Sequence, residues 1–294
     1  MELQAGEGRV IAAAGLGRVL VATAVPVERD AVATALGALS PESDDEALGV
    51  AGRAHPPPSS RLRSSRGNPH RPGGTTAHGG SGSGAHGSSG AAALSRALDA
   101  QVIAAGVGPA LAAASTASAL TAAALQGNPY DLVVSAGIGG GFQPEAGVGS
   151  LVVANEIVAA DLGAETDDGF MSVTELGFGT VRHHPPADLV RLVGDAVGAR
   201  TGAVLTVSTV TGTAGRARAL RERHPTALAE AMEGFGVAEA AAAHGVPVLE
   251  IRAISNPVGP RDRAAWRIPE ALAALTEGFG KLLPVLESWN RHDQ

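Results

Sequence analysis

Six short runs of β-branched and aliphatic residues, at 18–24, 101–106, 131–137, 149–157, 203–210 and 246–254, recur along the chain with alanine-rich stretches between them. Apolar runs of this length without polar alternation belong in strands covered on both faces, and strands separated by helix-length segments pair in parallel. The pattern predicts a single α/β domain of three layers, α/β/α, around a mixed, largely parallel central sheet. Helices are expected at 110–125, 225–244 and 268–288, where the alanine content permits close packing on a sheet. In such folds ligands bind beyond the carboxyl ends of the strands. Four strand exits therefore draw attention: 23–28 (TAVPVE), 105–108 (AGVG), 135–141 (SAGIGGG) and 252–256 (RAISN).

One stretch breaks the alternation. Residues 52–90 are dense in Pro, Gly and Ser and nearly free of large apolar side chains, so they bury too little surface to offset the entropy of ordering. The expected organisation is a flexible extension at 1–17 and one domain at 18–294, interrupted by a disordered insert at 52–90. The insert holds four histidines, His55, His70, His78 and His86. Their irregular spacing, without cysteine, favours a solvated loop over a metal module, and neither a metal nor an organic cofactor is expected.

The chain has no cysteine, which rules out disulfides, thiolate metal sites and a cysteine nucleophile and fits a reducing cytoplasm. A net charge of −7 opposes general attraction to nucleic-acid phosphates, and the expected partner is a small molecule. The first twenty residues mix Glu2 and Glu7 with Arg9 and Arg18, unlike the basic-then-apolar layout of a signal peptide. No uninterrupted run of about 18 strongly apolar residues appears, so no membrane partner is expected.

Each motif is ambiguous when taken alone. The Gly106-Val107-Gly108 turn before an alanine-rich helix could present amides to an anion or hydroxyl. A dinucleotide site would also need an acidic residue about 20 positions on, and 119–126 contains none. The glycines of SAGIGGGF suit either a tight structural turn or a ligand lying flat on the backbone. Glu233, in Met232-Glu233-Gly234-Phe235-Gly236 at a helix start, could offset the helix dipole or bind a ligand. Ser255 and Asn256 at a strand exit could simply cap the next element.

Taken together and in this order, TAVPVERDAV, SAGIGGGF and MEGFGVAEAAAAHGVPVLEIRAISN resemble the nucleoside phosphorylase/nucleosidase superfamily over nearly all of the chain outside the insert. TAVPVERDAV and ISNPVGPRDRAAW resemble, more narrowly, its futalosine hydrolase branch, which acts in an alternative route to menaquinone. The resemblance implies that Met232 and Glu233 hold the ribose, with Glu233 accepting from the 2′- and 3′-hydroxyls. It implies that Glu28 orients and deprotonates the attacking water.

Asn256 stands where methylthioadenosine/S-adenosylhomocysteine nucleosidases carry an aspartic acid. An amide cannot deliver a proton but can hydrogen-bond N7 and O6 of a 6-oxopurine, favouring hypoxanthine as the leaving base. Asp262 is a second candidate acid. Ile138 departs from a serine in those nucleosidases, and Gly137, Phe235 and Ser255 would line the nucleoside beside it. The matched motifs lack the arginine that clamps phosphate in phosphorylases, apart from Arg29 directly after Glu28, which favours hydrolysis. Arg261, Arg263 and Trp266 are candidates to receive a carboxylated aromatic tail. A 6-oxopurine nucleoside phosphorylase, an adenosine-type nucleosidase and a catalytically silent nucleoside-binding protein are the rival readings. Membership also implies a homo-oligomer.

Overall fold

A computed structural model describes residues 17–37 and 98–289. The insert expected at 52–90 and, but for Gly17, the extension expected at 1–17 lie outside the described residues. In chain order the elements are β1 (Arg18–Thr23), α1 (Pro26–Ala35), β2 (Asp99–Ala104), α2 (Pro109–Leu125), β3 (Leu132–Gly141), β4 (Leu151–Ala159), β5 (Gly163–Thr166), β6 (Gly169–Ser172), β7 (Arg182–His183), α3 (Ala187–Val197), β8 (Arg200–Thr206), α4 (Ala214–Arg223), β9 (Ala227–Ala231), α5 (Gly234–Ala243), β10 (Val248–Pro257) and α6 (Ile268–Ser288). All six expected strands are present with ends shifted by a few residues.

The main sheet runs β10-β4-β8-β9-β3-β1-β2, with β7 on β4, while β5 and β6 form a separate hairpin. Pairings β1–β2, β1–β3, β3–β10, β4–β8 and β8–β9 are parallel; β3–β9, β4–β10 and β4–β7 are antiparallel. The sheet is therefore mixed, but it is not an open layer. β10 pairs with β3 as well as β4, so five strands close into a ring from which β1 and β2 extend. The glycines of β3 make the closure possible. A Cβ on Gly139 would lie 2.9 Å from the Glu230 carbonyl of β9, and one on Gly141 would meet Ile254 of β10 at 2.7 Å.

Alternation along β1 shows how this strand is covered. Leu20 and Ala22 join a core with residues of α2 and α5, whereas Val19 and Val21 join one with residues of α1, α3 and α6. On α6, Leu275, Phe279, Leu282 and Leu286 form a buried stripe at helical spacing.

The helix expected over 225–244 is instead two elements, β9 and α5. All five residues of β9 are buried between β8 and β3. A five-residue strand, Ala227-Leu228-Ala229-Glu230-Ala231, buried throughout, is too short to be told from a helix by its pattern, and alanine's helical preference yields here to strand pairing. The helices α1, α3 and α4 also lie outside the sequence expectation. No helix among the described residues is long and apolar enough to cross a membrane, and no cluster of three or more His, Cys, Asp or Glu among them could hold a metal ion.

Candidate active site

Three chain segments far apart in sequence meet at the carboxyl ends of β1, β3 and β10. Pro26 opens α1 immediately after β1, which places Glu28 in the first helical turn, where unpaired amides favour a carboxylate. Glu28 is only 3 % exposed. Its Oε2 accepts from Ala24 N at 2.9 Å and Val25 N at 3.3 Å, and its Oε1 accepts from Ile138 N at 2.9 Å. The carboxylate is thus fixed by main-chain donors from two elements.

Across the strand end, Glu233 precedes α5 and is also buried. Oε1 accepts from Gly108 N at 3.3 Å, and Oε2 accepts from Met232 N at 3.3 Å and from Arg252 Nη1 at 3.3 Å. The Gly106-Val107-Gly108 turn therefore does offer an amide to an anion, and that anion is Glu233. Met232 is half-buried beside it. Phe235 is buried; its amide donates to Thr206 Oγ1 at 2.8 Å and its ring lies 5.2 Å from that of His183.

Arg252 joins the two carboxylates. It is 1 % exposed, and a Cβ on Gly137 would lie 2.7 Å from Glu28 Oε1 and 2.9 Å from Arg252 Nη1. The bare α-carbon of Gly137 is what lets carboxylate and guanidinium converge over β3. Nε of Arg252 donates to Glu250 Oε1 at 2.9 Å and Nη2 to Ser135 Oγ at 3.0 Å. Ser135 and Arg252 lie in strand exits that the sequence singled out, but sequence reasoning gave neither a role and passed over Glu250. The signal was present in Leu249-Glu250-Ile251-Arg252, where two charges at strand period break an otherwise apolar strand and so share one face.

A register shift lies between Ile254 and Asn256, opposite Gly139 and Gly140, and such a bulge re-aims the side chains beyond it. Asn256 is half-buried. Its Oδ1 accepts from Ser255 Oγ at 2.8 Å and its Nδ2 donates to Pro257 O at 2.9 Å. The amide is thus oriented by neighbours and retains one N–H to give. Asp262 is exposed and its Oδ1 accepts from Ala264 N at 3.0 Å, capping the short 3-10 turn at Arg263–Ala265. The guanidinium groups of Arg261 and Arg263 lie 5.6 and 5.9 Å from the centre of the Trp266 ring. Arg29 is paired with Asp30.

One more buried acid lies across β3 from Asn256. Glu230 pairs with Gly140 in the β3–β9 ladder and accepts from Thr211 N at 2.7 Å. Burial pushes its carboxyl up.

Comparison with known proteins identifies the family. A model of the phosphorylase superfamily matches residues 86–282. Futalosine hydrolase of Streptomyces coelicolor is 64% identical over 276 residues, covering 94% of this chain and 99% of that protein. Among solved structures, a mutant futalosine hydrolase of Helicobacter pylori superposes with a TM-score of 0.65 at 15% identity, covering 92% of this chain and 100% of the other. A methylthioadenosine/S-adenosylhomocysteine nucleosidase of Colwellia psychrerythraea, in complex with adenine, superposes with a TM-score of 0.63 at 20% identity over 92% of this chain and 96% of the other. At these identities the two structures speak to the fold alone.

Proposed function

The chain belongs to the phosphorylase superfamily and, within it, to the futalosine hydrolases, and from that membership we infer that it hydrolyses the N-glycosidic bond of futalosine to hypoxanthine and dehypoxanthine futalosine, in the route to menaquinone. Near-full-length identity to the Streptomyces coelicolor enzyme carries the reading. The arrangement of Glu28, Arg252 and Glu233 around the glycines of β3 supplies groups for the reaction.

We assign the roles as follows. Glu233 accepts the ribose hydroxyls and, with Met232, sets the sugar's position. As the base departs, positive charge grows at the anomeric carbon, and the buried carboxylates stabilise it. Glu28 takes a proton from the water that attacks that carbon. Three main-chain donors hold Glu28, which fixes its geometry before substrate arrives. The spare N–H of Asn256 supports the negative charge on departing hypoxanthine. Gly137, Ile138, Phe235 and Ser255 shape the nucleoside pocket, and Arg261, Arg263 and Trp266 meet the carboxylated tail at its rim. Asp262, engaged as a turn cap, is the weaker candidate for assisting the base.

The same reading places the enzyme in the cytoplasm as a homo-oligomer. Val107 and Leu111, each more than half exposed, flank the Gly108 amide that binds Glu233 and give a second copy an apolar surface to cover. Sedimentation of the purified protein reads this directly, and a monomer would discard it.

A phosphate-free assay of purified protein on futalosine, inosine and methylthioadenosine, with chromatographic detection of the freed base, tests the function. Hypoxanthine from futalosine is the expected product. Release only after phosphate is added, or only from the other nucleosides, overturns the assigned reaction or substrate.

A further inference from the structure

The strand that supplies Arg252 carries a second charge that the scheme above leaves unused. Glu250 stands two residues earlier on β10, so both side chains leave the same face. Glu250 is wholly buried. Its Oε1 accepts from Arg252 Nε at 2.9 Å, while its Oε2 has no hydrogen-bond partner among the described residues. The carboxyl is wedged against the start of α5, where any Cβ on Gly234 would strike it. It therefore packs directly against the glycine that opens α5.

With Nε on Glu250, Nη2 on Ser135 and Nη1 on Glu233, the guanidinium is held along its whole fork. Glu28 also lies beside it over Gly137, so three carboxylates surround one cation. A guanidinium favours a two-point grip on a single carboxylate. Freed at Nε, Arg252 could turn onto Glu28 or Glu233 and occupy the lone pairs needed for water or ribose.

We propose that Glu250 is a positioning residue for hydrolysis: by holding Nε of Arg252 it keeps the guanidinium in the orientation that leaves an oxygen of Glu28 for the water and an oxygen of Glu233 for the ribose. This rests on the roles given to Glu28 and Glu233 above. Burial pushes the Glu250 carboxyl up, opposed by the charge of Arg252 and reinforced by that of Glu233. The contact that fixes Arg252 is one oxygen accepting from Nε, which an amide oxygen in the same place also provides. A neutral side chain of the same shape should therefore serve as well.

The test compares Glu250→Gln and Glu250→Leu in kcat, KM and the pH profile of kcat/KM for futalosine. Glu250→Gln is expected to stay within about threefold of the parent with an unchanged profile. Glu250→Leu is expected to lose ~10²-fold in kcat with little change in KM, as for a misplaced reacting group. Its acid limb should move to lower pH, because a carboxylate gripped by a guanidinium gives up its proton more readily. Should Glu250→Leu fail to fold, Gly234→Ala with Glu250→Val replaces it, since the added methyl fills the space the carboxyl leaves. A leucine or valine variant that loses only thermal stability, with kcat and profile intact, overturns the proposal. So does a glutamine variant as impaired as the leucine one. Absence of hypoxanthine release by the parent protein in the same assay would instead overturn the assigned function.

Discussion

The two ends of the candidate site are built on opposite principles. On its floor, Arg252 is 1 % exposed and meets Glu233, Glu250 and Ser135, and Glu28 is held by three main-chain amides. At the rim we propose, nine and eleven residues further along the chain, Arg261 and Arg263 are exposed and lie over the Trp266 ring. Buried groups held by several hydrogen bonds are preorganised, and electrostatic catalysis depends on groups that need no reorganisation as charge develops. Exposed cation-π contacts are weak and adjustable, which suits recognition of a substrate's outer part. The floor is assigned to chemistry and the rim to affinity.

If that division holds, replacements on the floor act on kcat and those at the rim on KM. The largest effect is expected from Glu28→Gln, which keeps shape but removes the base. Turnover should fall by about 10²–10⁴-fold, as for loss of general base catalysis, while hypoxanthine still binds. Near-normal turnover would remove Glu28 from the mechanism. Next comes Gly137→Ala, whose methyl would displace Glu28 Oε1 or Arg252 Nη1. A kcat loss of ~10²-fold is the expected cost of such a shift, and an unaffected rate would show that the convergence over Gly137 is incidental.

Asn256→Asp sharpens the comparison within the floor. It should raise the methylthioadenosine-to-futalosine ratio of kcat/KM by about tenfold, or ~1.4 kcal/mol; an unchanged ratio sinks the account of base selection. The smallest effect belongs to the rim. Arg261→Ala with Arg263→Ala should raise KM for futalosine by about 2–5-fold with kcat unchanged, the scale of exposed cation-π contacts. A loss in kcat there would break the division between floor and rim.

Much of the candidate site is legible in the sequence. Glu28 and Asn256 sit at expected strand exits, where α/β folds place ligands, Glu233 stood out by its Met-Glu motif, and the structure puts Glu28 and Glu233 on either side of one guanidinium. The glycine-rich end of β3 left two readings open, and the structure divides them by residue. Gly139 and Gly141 give room for neighbouring strands, whereas Gly137 gives room for Glu28 and Arg252. The boundary inside 225–244 was illegible because alanine-rich residues buried on both faces carry neither helical nor strand periodicity.

By itself the sequence determined six of the ten strands among the described residues, the strand exits that carry Glu28 and Asn256, and the family to which the chain belongs, because each is written in local composition, spacing or contiguous motif. The tertiary structure alone decided that β10 joins β3 and closes the sheet. It also decided that Arg252 gathers Ser135, 117 residues away, with Glu233 and Glu250 into one buried network. Strand pairing and the sharing of a buried charge depend on which surfaces meet after folding, and no periodicity along the chain records that.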